Sequence, residues 1–254
     1  MSWDAKTYHE VSNPQFQWGL SVLERLELRG DETVLDVGCG TGRLTALLAQ
    51  RLPRGRVIAL DRDADMVEKA RAQLEPLGVE VLQGDALALP ERGVDVVFST
   101  ATFHWIVDHD ALFASVLRAL RPSGRLVAQC GGEGNLARIL GRLASILVEP
   151  EIAPFFRDAR PTWHFAGAEE TRARLSRLGF VDVETHLHAA PTPFDSREAF
   201  HRFVTNVVLG QRLARIPDPA LKSRVIDRVV DLYAVDDPPF VLDYVRLDMR
   251  ATKP

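Results

Sequence analysis

Residues 34–42 read Val34-Leu35-Asp36-Val37-Gly38-Cys39-Gly40-Thr41-Gly42. The apolar run from Thr33 to Val37 has the length and β-branched content of a strand buried in a parallel sheet. Alternating glycines break it, and Leu44, Leu47 and Leu48 then recur at helical spacing as far as Arg51. The stretch therefore predicts a strand, a tight turn and a helix. Gly38 and Gly40 lack the side chains that would hold a ligand away from the backbone, and Gly42 lets the helix start close against the strand.

The spacing of the glycines narrows the ligand. A dinucleotide-binding turn reads G-x-G-x-x-G and aims a helix N-terminus at a pyrophosphate. Here the third glycine comes one residue early and Arg43 stands in its place, which disfavours a nicotinamide-dependent oxidoreductase. No Gly-Lys-Ser/Thr follows, so the nucleoside-triphosphate loop fails as well. Asp36, at the strand end, would repel a phosphate but suits an ammonium or sulfonium group.

Later strand ends repeat the theme. Arg56 to Leu60 is a second buried strand that ends at Asp61, roughly 20 residues beyond the turn, where a carboxylate can accept from both hydroxyls of a ribose. Its alternative role is to cap the next helix, from about Ala64 to Leu74, although Asp63 or Asp65 could do so equally well. Met66 then lies either against an adenine face or in the core. A third strand, Gly78 to Leu82, runs into Gln83-Gly84-Asp85-Ala86; there Asp85 can accept from an adenine amino group while the next backbone N–H donates to the ring. Val94 to Ser99 is a fourth strand, and Ala101-Thr102-Phe103-His104-Trp105 follows on the same sheet edge. His104 is a candidate general base, a substrate hydrogen-bond partner, or a packing and capping residue ahead of the helix near Asp108. Trp105 is a candidate pocket wall. The helix ends at Arg121-Pro122-Ser123-Gly124, with Gly124 permitting the reversal into a fifth strand, Arg125 to Cys130. Such alternation predicts an α/β fold, a doubly wound and mostly parallel sheet covered on both faces.

Beyond Gly131-Gly132 the rhythm changes. Asn135 to Val148 reads as helix, and an insertion to about Phe165 carries Arg138, Arg142, Arg157 and Arg160, whose planar forks suit either a carboxylate or solvent. A helix from Ala168 to Leu178 and a strand from Phe180 to about His188 return to the sheet. His186 and His188 share a strand face, but no third ligand of suitable spacing accompanies them, so no metal is expected. Residues 195 to 234 form two helical runs around Ile216-Pro217-Asp218-Pro219. Phe240 to Arg250 alternates apolar and polar residues, which predicts a last, antiparallel strand with Asp243, Arg246 and Asp248 on an exposed face. Trp3, Tyr8, Phe16 and Trp18 make the lead segment aromatic, and Leu20 to Leu28 continues it as a helix packed on the sheet.

Composition sets further bounds. At 254 residues, 46% hydrophobic and 26% charged, the chain is long enough for a substantial core and ordinary in its balance. A net charge of −4 gives no general attraction to nucleic acid or to an anionic membrane. Cys39 and Cys130 are too few and too far apart for a disulfide framework, which suits a reducing cytoplasm. No apolar run approaches membrane-spanning length and the first residues lack a signal-peptide pattern.

Together, Asp36-x-Gly38-x-Gly40-x-Gly42, Asp61, Gly84-Asp85-Ala86 and the Arg121–Gly124 turn resemble the class I S-adenosyl-L-methionine (SAM) methyltransferases over residues 33–130. The aromatic lead, Phe103-His104-Trp105 and the helical insertion are further similar to the trans-aconitate methyltransferase group, whose members esterify carboxylates. The resemblance implies a Rossmann-like sheet of seven strands in a single domain over residues 1–254, with a core of about 30–131, 166–190 and 240–250. A helical cap would come from about 1–29, 132–165 and 191–239. It implies SAM as cofactor, contacted by Asp36, Gly38, Cys39, Gly40, Asp61, Arg62, Met66, Gly84, Asp85, Ala86 and Thr100, with Tyr8 and Gln15 from the lead segment. The acceptor would be a small molecule held by His104, Trp105 and Trp163, with His104 as the catalytic candidate. Carboxyl O-methylation is the first expectation; O-, N- or C-methylation of a secondary metabolite or carrier-protein thioester is the alternative, and a non-catalytic SAM-binding protein is the rival of another class. Oligomeric state is not legible.

Overall fold

The computed structural model describes residues 13–159 and 161–254. Tyr8, Trp3 and Arg160 lie outside the described residues. The elements alternate as expected: α1 (Asn13–Glu24), β1 (Thr33–Val37), α2 (Arg43–Gln50), β2 (Arg56–Asp61), α3 (Ala64–Leu74), β3 (Glu80–Gln83), β4 (Val94–Thr100), α4 (His109–Ala119) and β5 (Leu120–Gly131). Then come α5 (Ala137–Leu147), α6 (Ala168–Arg177), β6 (Val181–Ala189), β7 (Thr192–Pro193), α7 (Arg197–Phe203), α8 (Pro219–Ala234), β8 (Val241–Leu242) and β9 (Val245–Thr252).

Seven strands form one sheet in the order β3-β2-β1-β4-β5-β9-β6, with β9 antiparallel to both neighbours and the other pairs parallel. The chain winds outward from β1 to β3, then crosses back to β4. The crevice between the carboxyl ends of β1 and β4 is thus the topological switch point, where ligands of such sheets bind.

The strands are apolar throughout because both faces are covered. Leu35, Val37, Ile58 and Leu60 pack toward Leu112, Phe113 and Val116 of α4. Their alternates Val34, Val57, Ala59 and Phe98 pack toward Leu23 of α1, Leu48 of α2 and Leu74 of α3. A separate apolar cluster joins Ile139 and Leu143 of α5 to Phe200 of α7, Val229 of α8 and Tyr244. The lead segment serves both layers: Val22, Leu23 and Leu26 lie in the sheet core, whereas Trp18 packs on the helical cluster. Among the insertion's arginines, Arg138 and Arg142 bind Asp236 and lie over the Tyr233 ring, and so tie the helical layer together. Arg157 is exposed.

Three expectations need correction. The predicted last strand is two: β8 pairs with β7 outside the main sheet, and β9 begins only at Val245. Its polar face is not exposed, since Arg246 is 2% and Asp248 8% exposed. Helix α1 covers that face, with Trp18 beneath the Arg246 guanidinium and Arg25 bonded to Asp248. Finally, the reversal expected before the fifth strand lies within β5, where its register with β4 shifts, and places Ser123, not Gly124, in the left-handed region, at φ 60°. Gly124 is required by close approach, because a Cβ there would meet the Arg121 and Val94 carbonyl oxygens at 2.8 and 2.9 Å.

Candidate active site

The glycine turn is built by backbone bonds. Gly38 and Cys39 both donate to the Leu60 carbonyl at the end of β2, and Gly42 donates to Cys39. Gly38, Gly40 and Gly42 have φ of 76°, 56° and 88°, which explains the residue type at all three. Their surroundings differ. A Cβ on Gly38 would collide with Thr102, whose hydroxyl bonds the Gly38 and Thr100 carbonyls, so Gly38 makes room for Thr102 rather than for a ligand. A Cβ on Gly42 would meet Leu74 at 2.8 Å, the close approach of α2 to the layer below. Only Gly40 of the three faces open space within 4 Å.

Asp61 closes the turn from the other side. One carboxylate oxygen accepts from the Gly40 N–H at 2.9 Å, and the other from the Asp63 N–H at 2.9 Å. Asp63, not Asp61, caps α3 by accepting from Asp65 and Met66. Each Asp61 oxygen therefore keeps a lone pair for a hydroxyl donor. Burial pushes the Asp61 pKa up despite these bonds. Beyond β3, Asp85 accepts from the Leu87 N–H and stands 4.0 Å from exposed Arg62, while Gly84 donates to the Asp61 carbonyl.

Other residues anticipated here take different places. Asp36 is 3% exposed and accepts from the Thr45 hydroxyl at 2.6 Å, beneath the turn rather than at its surface. Burial, with a contribution from Asp61, pushes its pKa up to about 7. Met66 is 4% exposed and Ala86 belongs to the sheet core. Cys39 contributes its backbone N–H, and burial holds its thiol well above the usual range. Thr100 ends β4 and accepts from Thr102.

A second cavity opens on the far side of Ala101, a left-handed residue at φ 55°. His104, Trp105, Trp163 and Phe165 line it with Gln15, Asn135, Tyr244 and Arg246. The aromatic wall is continuous: the His104 ring centroid lies 5.4 Å from Trp105 and 5.7 Å from Phe165, and Trp163 lies 5.4 Å from Trp105. His104, Trp105 and Trp163 are thus brought together as expected. Gln15, anticipated at the cofactor, joins them in this cavity.

The polar groups of the cavity are mostly donors. The Gly131 N–H donates to His104 Nδ1 at 3.3 Å, so the neutral ring carries its proton on Nε2. Burial, and then the Arg246 and His109 charges, hold its pKa well below the ordinary value. Asp108 caps α4, which frees His104 from that role. Trp163 Nε1 and Gln15 Oε1 are buried with no hydrogen-bond partner. Arg246 is almost wholly enclosed, with its Nε 3.4 Å from Gln129 Oε1. Sequence reading missed Arg246, Gln129 and Asn135 because the three come from separate strands and loops and follow no local pattern.

A family profile described as a methyltransferase domain matches residues 34–124. A trans-aconitate 2-methyltransferase of Deinococcus radiodurans is 32% identical over 233 residues, 89% of this chain and 88% of that protein. The chain belongs to the class I SAM-dependent methyltransferases. An uncharacterised methyltransferase of Schizosaccharomyces pombe is 32% identical over 186 residues, 70% of each chain. Among solved structures, phosphoethanolamine N-methyltransferase 2 of Haemonchus contortus, in complex with phosphomonomethylethanolamine and S-adenosylhomocysteine, superposes with a TM-score of 0.63 at 19% identity. That alignment covers 98% of this chain and 57% of the other. The residues present suit the family's cofactor: open space lies above Gly40, and Asp61 has lone pairs to spare beside it. No helix among the described residues is long and apolar enough to cross a membrane.

Proposed function

We propose that this methyltransferase esterifies a carboxylate on a small anionic molecule. The observation that carries the reading is the donor set of the second cavity: a buried Arg246 beside an imidazole fixed as a donor and an indole N–H without an internal partner. Donors converging in an apolar enclosure suit an anion, and a buried guanidinium suits a carboxylate above all. The similarity to a trans-aconitate 2-methyltransferase supports the same class of acceptor.

SAM supplies an electrophilic methyl carried on a sulfonium. The protein's part is to hold the acceptor in line and dry. Positioning of this kind contributes on the order of 7–11 kcal/mol. Arg246 fixes the anion, and His104 Nε2–H and Trp163 Nε1–H orient its oxygens; Trp105 and Phe165 exclude water. A carboxylate is already the nucleophile, so no proton has to be removed. His104 therefore serves as a donor, the hydrogen-bond alternative among its expected roles, and not as a general base.

The test is transfer from methyl-labelled SAM across di- and tricarboxylates including trans-aconitate, carrier-protein thioesters, phenols and amines. The expected product is a methyl ester, whose label alkali releases as methanol. Alkali-stable label on an amine or phenol, with the acids untouched, overturns the reading. Label on none of the acceptor classes favours the non-catalytic SAM-binding alternative.

A further inference from the structure

Strand β6 places His186 and His188 on one face, and β9 places Asp248 directly opposite His186 in the antiparallel register. The ligand that the sequence seemed to lack thus arrives from another strand. Asp248 Oδ2 lies 3.3 Å from His186 Nε2 and 3.0 Å from His188 Nδ1, and the three atoms all lie within 4.8 Å of one another. Tetrahedral zinc with bonds of about 2.0–2.1 Å sets its donors about 3.3 Å apart.

Two further features separate this cluster from a surface ion pair. The contacts are close but misaligned: Asp248 Oδ2 and His188 Nδ1 are both buried atoms that make no hydrogen bond. The carboxylate is also held from behind, because Oδ1 accepts from Arg25 and from Gln129, each at 2.8 Å. Lone pairs therefore converge on one point, with the carboxylate oriented by the kind of outer partners that metal ligands have. The histidine side chains are 62% and 40% exposed, which leaves a solvent-side position for water.

We propose that His186 Nε2, His188 Nδ1 and Asp248 Oδ2 bind a divalent transition-metal ion of the zinc class. Two imidazoles and a carboxylate match its borderline character, and a single carboxylate is too little for calcium or magnesium. The ion would clamp β6 to β9 on the face that also carries Arg246. The assignment is independent of the acceptor's identity.

The experiment uses untagged protein stripped with chelator, titrated calorimetrically with zinc chloride and followed by absorption with cobalt chloride. One equivalent of zinc at micromolar affinity and visible cobalt bands are expected. His186→Ala and His188→Ala should each weaken binding by about 100-fold or more. His201→Ala, at the separate half-buried pair His201–Asp227, should leave it unchanged. Both histidines are exposed, so circular dichroism of the variants is expected to match the parent. No saturable micromolar binding, or equal binding by the His186→Ala/His188→Ala double variant, overturns the site and leaves a plain ion pair.

Discussion

Asp36 beneath the glycine turn and His109 on α4 are buried titrating groups, and they bias stability in opposite directions. Asp36 has a folded pKa of about 7, raised mainly by burial, so its contribution is fully present below the unfolded value near 3.8 and is lost as pH rises through about 7. His109 is pushed down to about 4, mainly by burial, so its contribution is present above the unfolded value near 6.5 and is lost as pH falls toward 4. The His109 window alone is worth about 3 kcal/mol. In Asp36→Asn the compensation disappears, and the urea midpoint should fall more steeply between pH 6.5 and 4 than in the parent. Asp61→Ala should weaken S-adenosylhomocysteine by about 10–100-fold in calorimetry, as expected of a carboxylate that would accept from both ribose hydroxyls. The place of Asp61 beside the glycine turn was legible because a strand end and a chain interval specify it locally. Arg246 was not, since alternation with Leu247 and Met249 makes it read as solvent-facing.

Helix α1 is what overturned that reading. A strand's sequence reports that its two faces differ, not what covers the polar one. Here Trp18 supplies a π-face 4.5 Å from the Arg246 guanidinium and packs 4.8 Å from Tyr244, and Arg25 reaches Asp248. Trp18→Ala should destabilise by about 2–3 kcal/mol through lost packing and cation–π attraction, read from urea unfolding. A loss of under about 0.5 kcal/mol would mean that α1 does not seal this face. The turn at α2 makes a sharper case: Gly42→Ala combines a left-handed backbone with overlap on Leu74, and should cost about 2–3 kcal/mol. Both the strand-turn-helix and its glycine were visible from apolar periodicity. The contact with Leu74 was not, because it joins elements distant in sequence.

Across the whole molecule the glycine turn rests on the sheet core, whereas the aromatic cavity lies where that core meets the helical cluster. The two sites should therefore separate by mutation. Arg246→Met is expected to raise the acceptor KM by about 100-fold and change S-adenosylhomocysteine affinity by less than about twofold. Equal loss of both would place Arg246 in the cofactor site. S-adenosylhomocysteine at 100 times its Kd should raise the melting temperature by about 5–10 °C, since it binds only the folded chain. The sheet half was readable because the glycine turn, Asp61 and Asp85 each follow the end of one local strand. The cavity was readable only where neighbours in sequence, Phe103-His104-Trp105, happen also to be neighbours in space.

The carboxylate of Asp61 that draws Gly40 into its curve is the same one left with lone pairs for a sugar. With a ribose on those lone pairs, loop shape and ligand choice would be a single property of this protein. Anyone retuning it for an analogue with an altered ribose would have to supply a new tether for the Gly40 amide first, or lose the pocket along with the preference.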